Sequence, residues 1–312
     1  MTRSDEFSHL PVDVRPIALL DAEARIAHTR TERWISHATA TRLLGYLQEI
    51  FDQPRRERME NLLLLGESGM GKTMLIRKFE RQNASYFDET NGIYRRPIIA
   101  MRMPPQPTEA EFFSRLLECI DAPISQYSLR TIQLRTTAIK FLREIGARVL
   151  IIDEINSILV GTPRQQRLFL QLLRFLSNEL GLSLICIGVP EARHALLSDP
   201  QLRSRFSDLE YTVWSPGEEF RDFVTHFVWS LPLRKPSPVD SAKLRTTLVN
   251  RSGGVTLGIC RAIERAAVEA IRSGKEYMEV SSFDNPDIWR GIATPGRDVR
   301  PRRARLSEVR PV

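Results

Sequence analysis

Leu62–Thr73, the stretch LLLLGESGMGKT, joins an apolar run to a loop that contains three glycines, a lysine and a threonine. Four consecutive leucines are typical of a buried strand, and the sequence after the loop, TMLIRKFERQ, has the periodicity of a helix. The spacing Gly66-x4-Gly71-Lys72-Thr73 matches the phosphate-binding P-loop, and it occurs between a strand and a helix, where that motif requires it. This stretch therefore predicts an α/β fold that binds a nucleoside triphosphate.

The chemistry of the loop explains this prediction. Backbone N–H groups of the loop and of the helix N-terminus cradle phosphate oxygens, and glycines let the backbone approach them closely. Lys72 is placed to reach the β- and γ-phosphates, and Thr73 offers its hydroxyl to Mg²⁺. The predicted nucleotide-binding residues of the loop are Gly66, Glu67, Ser68, Gly69, Met70, Gly71, Lys72 and Thr73.

A second motif, VLIIDE at Val149–Glu154, supplies two carboxylates about 80 residues after the loop. Asp153 ends the apolar run and is predicted to bind the nucleotide's Mg²⁺, and Glu154 is placed to polarise an attacking water. A further strand, Pro97–Met103, comes between the two motifs. This intervening strand favours the additional-strand ATPases over nucleotide kinases, and Glu154 favours hydrolysis over phosphoryl transfer.

The segment DPQLRSRFSDLEY, at Asp199–Tyr211, contains an arginine before an aromatic residue at a predicted helix end. An arginine in this position is often supplied to the nucleotide of an adjacent subunit, where it stabilises the charge of the transition state. Arg205 is the predicted catalytic finger, and Arg203 is the alternative. The competing interpretation is a surface arginine that pairs with Asp199 or Asp208.

Apolar segments of strand length alternate with helical segments up to about residue 214. The strands are predicted at Leu62–Leu65, Pro97–Met103, Arg148–Glu154 and Leu182–Val189. This alternation predicts a parallel sheet flanked by helices, and from Ser215 onward the pattern is helical only. The predicted domains are a partly disordered lead-in at 1–30, an α/β nucleotide-binding domain at 31–214, a small helical lid domain at 215–295 and a basic tail at 296–312.

The chain carries a net charge of +7 over 312 residues, and much of this charge lies at the C-terminal end. Residues 296–312 contain six arginines against Asp298 and Glu308, so the tail accounts for +4 of the total. A basic segment without aromatic residues is either a disordered, solvated end or an electrostatic arm for nucleic acid or an acidic partner.

The composition argues against a membrane protein and against an oxidising compartment. No apolar run approaches the length of a membrane span, and the N-terminal MTRSDEFSHL is too polar for a signal peptide. Cys119, Cys186 and Cys260 lie far apart in apolar contexts, which favours buried, reduced thiols. We therefore expect a cytoplasmic protein with no membrane partner.

The order of these motifs resembles that in the AAA+ ATPases. The amino-acid sequence within and around the motifs resembles the TniB/TnsC family of transposition regulators. The stretches that carry the resemblance are RWISHATATRLLGYLQEIFDQPRRERMENLLLLGESGMGKT, VLIIDEINSIL, SLICIGVPEA and LRSRFSDLEY. They occur in the family's order, and the resemblance covers about residues 30–275. It implies an AAA+ P-loop NTPase with ATP and Mg²⁺ as cofactors.

The resemblance also implies a function and a set of partners. Members of this family form oligomers or filaments on double-stranded DNA without reading its sequence, and they recruit and activate a DDE transposase, with a TniQ-like targeting protein as a further partner. Family resemblance places the DNA contacts near PPQPTEAE and QYSLRT, where Thr108, Ser128 and Arg130 are the predicted DNA-binding residues. Helix capping is the competing role for Thr108, and Glu109 and Glu111 make this region an awkward partner for DNA.

Two departures from the family pattern bear on the rate of hydrolysis. Relatives often carry a Thr or Asn that senses the γ-phosphate at the end of the fourth strand, whereas this chain has Ile187-Gly188-Val189-Pro190. An arginine is common near the start of the lid helix, whereas this chain has Gly258, with Arg261 one turn later as a candidate substitute. Removing one hydrogen-bond donor to the transition state typically lowers kcat 10²-fold or more. Because both of these positions depart from the family pattern, we expect slow ATP hydrolysis.

Three other functions compete with this interpretation. A related AAA+ helicase loader would hand a ring helicase to DNA rather than remain there, and a nucleotide-driven protein-interaction switch would not bind DNA. A small-molecule kinase is disfavoured by the intervening strand and by the lack of a recognisable acceptor site.

Overall fold

The computed structural model describes residues 7–56, 58–122 and 130–292. Predicted Ser128 and the predicted basic tail, 296–312, lie outside the described residues. The chain divides into two compact units. One consists of residues 33–213, and the other joins the N-terminal residues up to Glu32 to those from Trp214 onward.

A parallel sheet forms the centre of the unit at residues 33–213. The strands of this unit are β1 (Asn61–Leu65), β2 (Tyr86–Asp88), β3 (Ile93–Arg95), β4 (Ile98–Arg102), β5 (Val149–Asp153), β6 (Ser183–Gly188) and β7 (Phe206–Glu210). The strand order is β4-β5-β6-β1-β7, and each neighbouring pair is parallel. β2 and β3 form a separate antiparallel pair. The predicted α/β fold with a parallel sheet is therefore confirmed.

Helices cover this sheet and build the second unit. The helices of the sheet unit are α3 (Ala38–Asp52), α4 (Lys72–Gln82), α5 (Glu109–Cys119), α6 (Thr131–Glu144), α7 (Pro163–Leu180), α8 (Ala192–Leu196) and α9 (Pro200–Arg203). Those of the other unit are α1 (Arg15–Ala18), α2 (Ala22–Thr29), α10 (Glu218–Trp229), α11 (Ala242–Ser252) and α12 (Thr256–Arg272). None of the helices in the described ranges combines the length and the apolarity that crossing a lipid bilayer requires.

Alternate residues of the central strands point into a core beneath α5, α6 and α7. Leu63 and Leu65 of β1 belong to this core, and all five residues of β1 are buried. The rings of Phe112, Phe113 and Phe169 meet edge to face there, with centroids 5.5 Å apart in the pairs that Phe112 makes with the other two. This packing fixes the carboxyl ends of the strands, where the predicted loop and carboxylates lie.

Three strands were not predicted from the sequence. β7 lies at one edge of the sheet; of its residues FSDLE, only Phe206 is buried, and the two acidic residues, Asp208 and Glu210, are exposed. β2 and β3 are three residues each and largely exposed. An apolar run marks a strand covered on both faces, so this criterion misses an edge strand and a surface hairpin.

The N-terminal residues differ from the predicted partly disordered lead-in. Residues 15–29 include the two helices α1 and α2, and Ile26 is buried. Arg25 is also buried and forms an ion pair of 2.6 Å with Glu276. The sequence of this segment does not indicate these contacts, because the partner of Arg25 lies 251 residues further along the chain.

The three cysteines are free thiols. Cys186 is fully buried in β6, and burial raises its pKa to about 12. Cys119 and Cys260 are partly buried. A buried thiol with a raised pKa is inert, because the thiolate is the reactive form.

Candidate nucleotide site

The loop between β1 and α4 has the backbone geometry that its glycines allow. Gly69 and Gly71 have φ angles of +82° and +96°, in the left-handed region that favours glycine, and Gly71 is the N-cap of α4. Gly66 has no room for a side chain, because a Cβ atom would lie 2.7 Å from the carbonyl oxygen of Tyr211. Among the other predicted loop residues, Glu67 and Ser68 are exposed and Met70 is buried. The loop is thus an open turn anchored by one apolar side chain.

Lys72 is the first residue of α4, and its side chain curls back along the loop. Its Nζ donates hydrogen bonds to the carbonyl oxygens of Gly66, at 2.5 Å, and Glu67, at 2.9 Å. Burial lowers the pKa of Lys72, while the negative charges of Asp153, Glu154 and Glu67 act in the opposite direction. The lysine therefore lies over the loop in a field set by the two predicted carboxylates.

Thr73 and Asp153 meet although 80 residues separate them. The Thr73 hydroxyl donates to Oδ2 of Asp153 at 3.0 Å, and Oδ1 of Asp153 accepts from the backbone N–H of Glu154 at 2.8 Å. A hydroxyl and a carboxylate in contact fit Mg²⁺, which binds oxygen ligands and takes only one or two from the protein beside phosphates. The described residues contain no cluster of three or more His, Cys, Asp or Glu side chains that would hold a metal without such phosphates.

Glu154 directly follows β5 and has φ +58° and ψ +38°. This left-handed conformation costs a residue other than glycine about 1–2 kcal/mol, so the surrounding structure must hold it. It begins a 3-10 helix, Ile155–Val160, in which Ile155 and Ile158 are fully buried. The carboxylate of Glu154 is exposed, and its Oε2 accepts from Nδ2 of Asn156 at 3.4 Å. Sequence reasoning did not identify Asn156, since no spacing rule marks it.

Gly188, at the end of β6, lies beside both motifs. Its carbonyl oxygen accepts from the backbone N–H of Gly66 at 3.1 Å. A Cβ atom on Gly188 would lie 2.9 Å from Cγ2 of Ile155 and 3.3 Å from Oδ1 of Asn156. The glycine noted as a departure from the family pattern is therefore required by close packing against the residues that follow Glu154.

Arg205 lies at the other end of the sheet from the loop. Its carbonyl oxygen accepts from the backbone N–H of Asn61 at 3.0 Å, and its guanidinium bonds the side chain of Asn178. Asn61 begins β1, whereas Gly66 follows its last residue, so about 17 Å of strand separates them at 3.3 Å per residue. Arg205 is therefore remote from the nucleotide loop of its own chain.

The two aspartates that were the competing partners of Arg205 lie beside other arginines. Asp208 pairs with Arg193 at 3.1 Å, and Asp199 lies 4.0 Å from Arg174. The alternative finger, Arg203, is exposed and donates through Nε to the carbonyl oxygen of Leu197 at 3.1 Å.

Two of the predicted DNA-binding residues are described, and both are N-caps of helices. The Thr108 hydroxyl accepts from the backbone N–H of Glu111 at 3.3 Å at the start of α5. Arg130 precedes α6, is exposed, and its backbone N–H donates to Oε1 of Gln133 at 2.8 Å. Capping by Thr108, the competing role, is thus present in the structure.

The start of α5, the second turn of α6 and one side of α7, from Gln165 to Phe175, line one cleft of about 400 Å³. Thr108 and Glu109 lie on one side of this cleft, and Gln165 and Leu168 lie on another. Arg135 pairs with Glu109 at 3.2 Å within it.

The predicted lid positions lie on α12 in the other unit. Gly258 is buried in the first turn, where a Cβ atom would lie 3.0 Å from Cγ2 of Ile292 and 3.1 Å from Cβ of Ser252. Arg261, one turn later, is exposed.

Comparison with known proteins gives a family and a fold. Residues 25–216 match the model of a family described as the bacterial TniB protein. No curated protein sequence matches the chain significantly.

Among solved structures, the chain is similar to the ORC2 protein of Aeropyrum pernix, solved in ADPNP–ADP complexes, with a TM-score of 0.60 and 15% identity over 82% of this chain and 69% of that one. For Cdc6p of Pyrobaculum aerophilum the TM-score is 0.57 and the identity 14%, over 80% and 67% of the two chains. For the ORC1 protein of Aeropyrum pernix in complex with DNA they are 0.54 and 19%, over 89% and 67%. At these identities the likeness is one of fold, and it agrees with the predicted α/β architecture of a parallel sheet flanked by helices.

Proposed function

The chain belongs to the TniB family, and on that premise we propose that it is an ATP-dependent, sequence-nonspecific DNA-binding ATPase. It oligomerises on target DNA and recruits and activates a DDE transposase, with a TniQ-like protein as a targeting partner. The observation that carries the nucleotide part is the contact between Thr73 and Asp153, with Lys72 and Glu154 beside it. Similar structures solved with ADPNP or with DNA support the same assignment.

In this proposal, each residue of the site has one task. Backbone N–H groups of the loop and the ammonium of Lys72 bind the phosphates of ATP. Thr73 and Asp153 would hold Mg²⁺, and the ion would supply positive charge to neutralise the phosphates. Glu154 accepts a proton from the attacking water, because its carboxylate is exposed beside Asp153 and is not used in an ion pair among the described residues.

The position of Arg205 supports an oligomeric enzyme. An arginine about 17 Å of strand away from its own loop cannot reach the phosphates that this loop binds. It can reach those of an adjacent copy, in which case hydrolysis requires two subunits. Assembly and catalysis are then coupled through one side chain.

The cleft between α5, α6 and α7 is the proposed DNA-facing region. Arg130, Arg164 and Arg167 lie at the starts of α6 and α7 and are exposed, so they can meet phosphates, and the helix N-termini add partial positive charge. Arg135 neutralises Glu109, which removes part of the acidic character that the sequence suggested. Contacts of this kind position a protein on DNA without reading its sequence.

The test of this proposal is binding to duplexes of unrelated sequence, measured by fluorescence anisotropy with and without ATP. We expect similar affinities for the different duplexes, stronger binding with ATP, and weaker binding at high salt. Electron microscopy of the same mixtures would show assemblies on DNA. Retention of a transposase on these assemblies tests recruitment. Protein that never binds DNA would favour the protein-interaction switch, and transfer of a ring helicase would favour the loader.

A further inference from the structure

We propose that Asn156 is a positioning residue for ATP hydrolysis, which orients the carboxylate of Glu154 and lies against the end of β6, where this chain has no polar side chain. The inference rests on the proposed ATPase function. It adds a residue that neither the motifs nor the family match assigns.

The first observation is the contact between the two side chains. Nδ2 of Asn156 lies 3.4 Å from Oε2 of Glu154, and the amide is a donor to a carboxylate that can only accept. This hydrogen bond is long, as catalytic hydrogen bonds often are before substrate tightens them. A donor on one carboxylate oxygen leaves the other, Oε1, to accept the proton of the attacking water.

The second observation is the burial of the opposite end of the amide. Oδ1 of Asn156 is buried and accepts no hydrogen bond from any described residue. Buried polar atoms without a partner are rare in folded proteins, and each one calls for a reason. Here the reason is geometric, because placing Oδ1 toward Gly188 turns the donor end of the amide toward Glu154.

Gly188 provides the third observation. An ideal Cβ atom at this position would lie 3.3 Å from Oδ1 of Asn156 and 2.9 Å from Ile155. A side chain at the end of β6 would clash with Ile155 and crowd Oδ1 of Asn156, so it would compete for the space beside the amide. The end of β6 carries no polar side chain, and the amide of Asn156 occupies the space beside it.

The residues around Asn156 are held by burial and by a backbone hydrogen bond. Ile155 and Ile158 are fully buried on either side of it, and the backbone N–H of Ser157 donates to the carbonyl oxygen of Glu154 at 3.0 Å. A side chain anchored in this way orients its neighbour without contacting the nucleotide. The proposal therefore separates turnover from binding.

The experiment compares Asn156→Ala and the similarly sized, apolar Asn156→Leu with Ser157→Ala, the matched control one residue away. Steady-state phosphate release gives kcat and KM, a fluorescent ATP analogue gives Kd, and thermal melting reports folding. Because small displacements of a reacting group cost up to about 100-fold in rate, we expect kcat to fall about 10- to 100-fold for both Asn156 variants. KM, Kd and Tm should stay unchanged, and Asn156→Ser, with a hydroxyl donor, should recover part of kcat.

Glu154→Gln separates failure of this inference from failure of the proposed function. Suppose that wild type hydrolyses ATP and that Glu154→Gln abolishes the hydrolysis. If Asn156→Ala or Asn156→Leu then retains wild-type kcat, the positioning role of Asn156 is overturned and the proposed ATPase function stands. A rise in KM and Kd together with a lower Tm would also overturn it, in favour of a structural role. If wild type releases no more phosphate than Glu154→Gln, the ATPase proposal and this inference fall together.

Discussion

At the scale of single residues, the site depends on a lysine held by its own loop. Lys72 bonds two carbonyl oxygens of that loop and faces the charges of Asp153 and Glu154. The lysine ammonium can exchange these neutral acceptors for phosphate oxygens, because the negative charge of phosphate adds a Coulomb attraction that a carbonyl oxygen lacks. The loop backbone provides the shape of the site and Lys72 its charge.

Replacing Lys72 with alanine should therefore weaken ATP binding by at least about tenfold, since a hydrogen bond to a charged group is worth about 1.5–3 kcal/mol. Equilibrium titration with a fluorescent ATP analogue measures the change. Lys78→Ala, on the same helix but away from the loop, is the matched control. Wild-type affinity in Lys72→Ala would mean that the loop does not bind phosphates as proposed.

At the scale of elements, the segment between α9 and β7 places Arg205 at the end of the sheet opposite the loop. We expect Arg205→Ala to bind ATP like wild type but to hydrolyse it about 10²-fold more slowly and to assemble poorly. Phosphate release and light scattering measure the two effects. Arg203→Ala is the control, and a reversed result for this pair would transfer the role to Arg203.

Mixing Arg205→Ala with Lys72→Ala subunits tests whether the arginine acts across an interface. Each variant then supplies what the other lacks, so some junctions combine an intact loop with an intact arginine. Activity should appear in the mixture and not in either variant alone. An inactive mixture that still assembles would argue against action in trans.

Helix α2 is joined to the helical unit by a buried ion pair. The side chain of Arg25 contacts both carboxylate oxygens of Glu276, at 2.6 and 2.8 Å. Burial raises the pKa of Glu276, but the hydrogen bonds and charges of Arg25 and Arg234 outweigh it, and the net pKa is lowered. The pair therefore favours the folded unit only while Glu276 is ionised.

Arg25→Ala should lower the free energy of unfolding by about 3–5 kcal/mol, because it leaves a buried charge without its partner. Since the pKa of Glu276 is lower in the folded chain than its usual 4.5, its stabilisation is present above that pH and is lost as the pH falls through the folded value. Urea unfolding at pH 7 and at progressively lower pH measures both effects. Arg30→Ala, at the exposed C-terminal end of the same helix, is the comparison. Equal stability of Arg25→Ala and wild type would show that the ion pair contributes nothing.

At the scale of the whole molecule, the net charge of +7 resides largely in the tail, and the tail is separate from the nucleotide site in sequence. Two roles compete for it, an arm that binds DNA phosphates and a segment that engages the transposase or another protein partner. The partner role is our expectation. The proposed DNA-facing cleft belongs to the α/β unit, so this proposal does not require the tail for DNA binding.

Deleting residues 296–312 should leave ATP binding intact and change the salt dependence of DNA binding little. If the tail binds phosphates instead, the slope of log K against log salt should shrink by about 0.9 for each phosphate that the truncated protein no longer neutralises. A salt titration of full-length and truncated protein with one duplex decides between the two. A clearly reduced slope would contradict the partner role, and an unchanged slope would contradict the DNA arm.

The sequence by itself determined the fold class and the loop, because both depend on local patterns. Glycines at fixed spacing set the left-handed turns at Gly69 and Gly71, and apolar runs mark strands that are covered on both faces. Asp153 and Glu154 follow from the same logic, since a carboxylate after a parallel strand falls at the edge where the loop lies.

Only the tertiary structure decided which distant residues meet. The pair Arg25–Glu276, the edge strand β7 and the position of Asn156 beside Gly188 have no local signal, because each is fixed by how the helices and strands pack. A motif constrains the φ and ψ angles of neighbours in the chain. The space at Gly188 is instead set by Ile155 and Asn156, which follow a different strand, so only the packed sheet reveals that an amide occupies it.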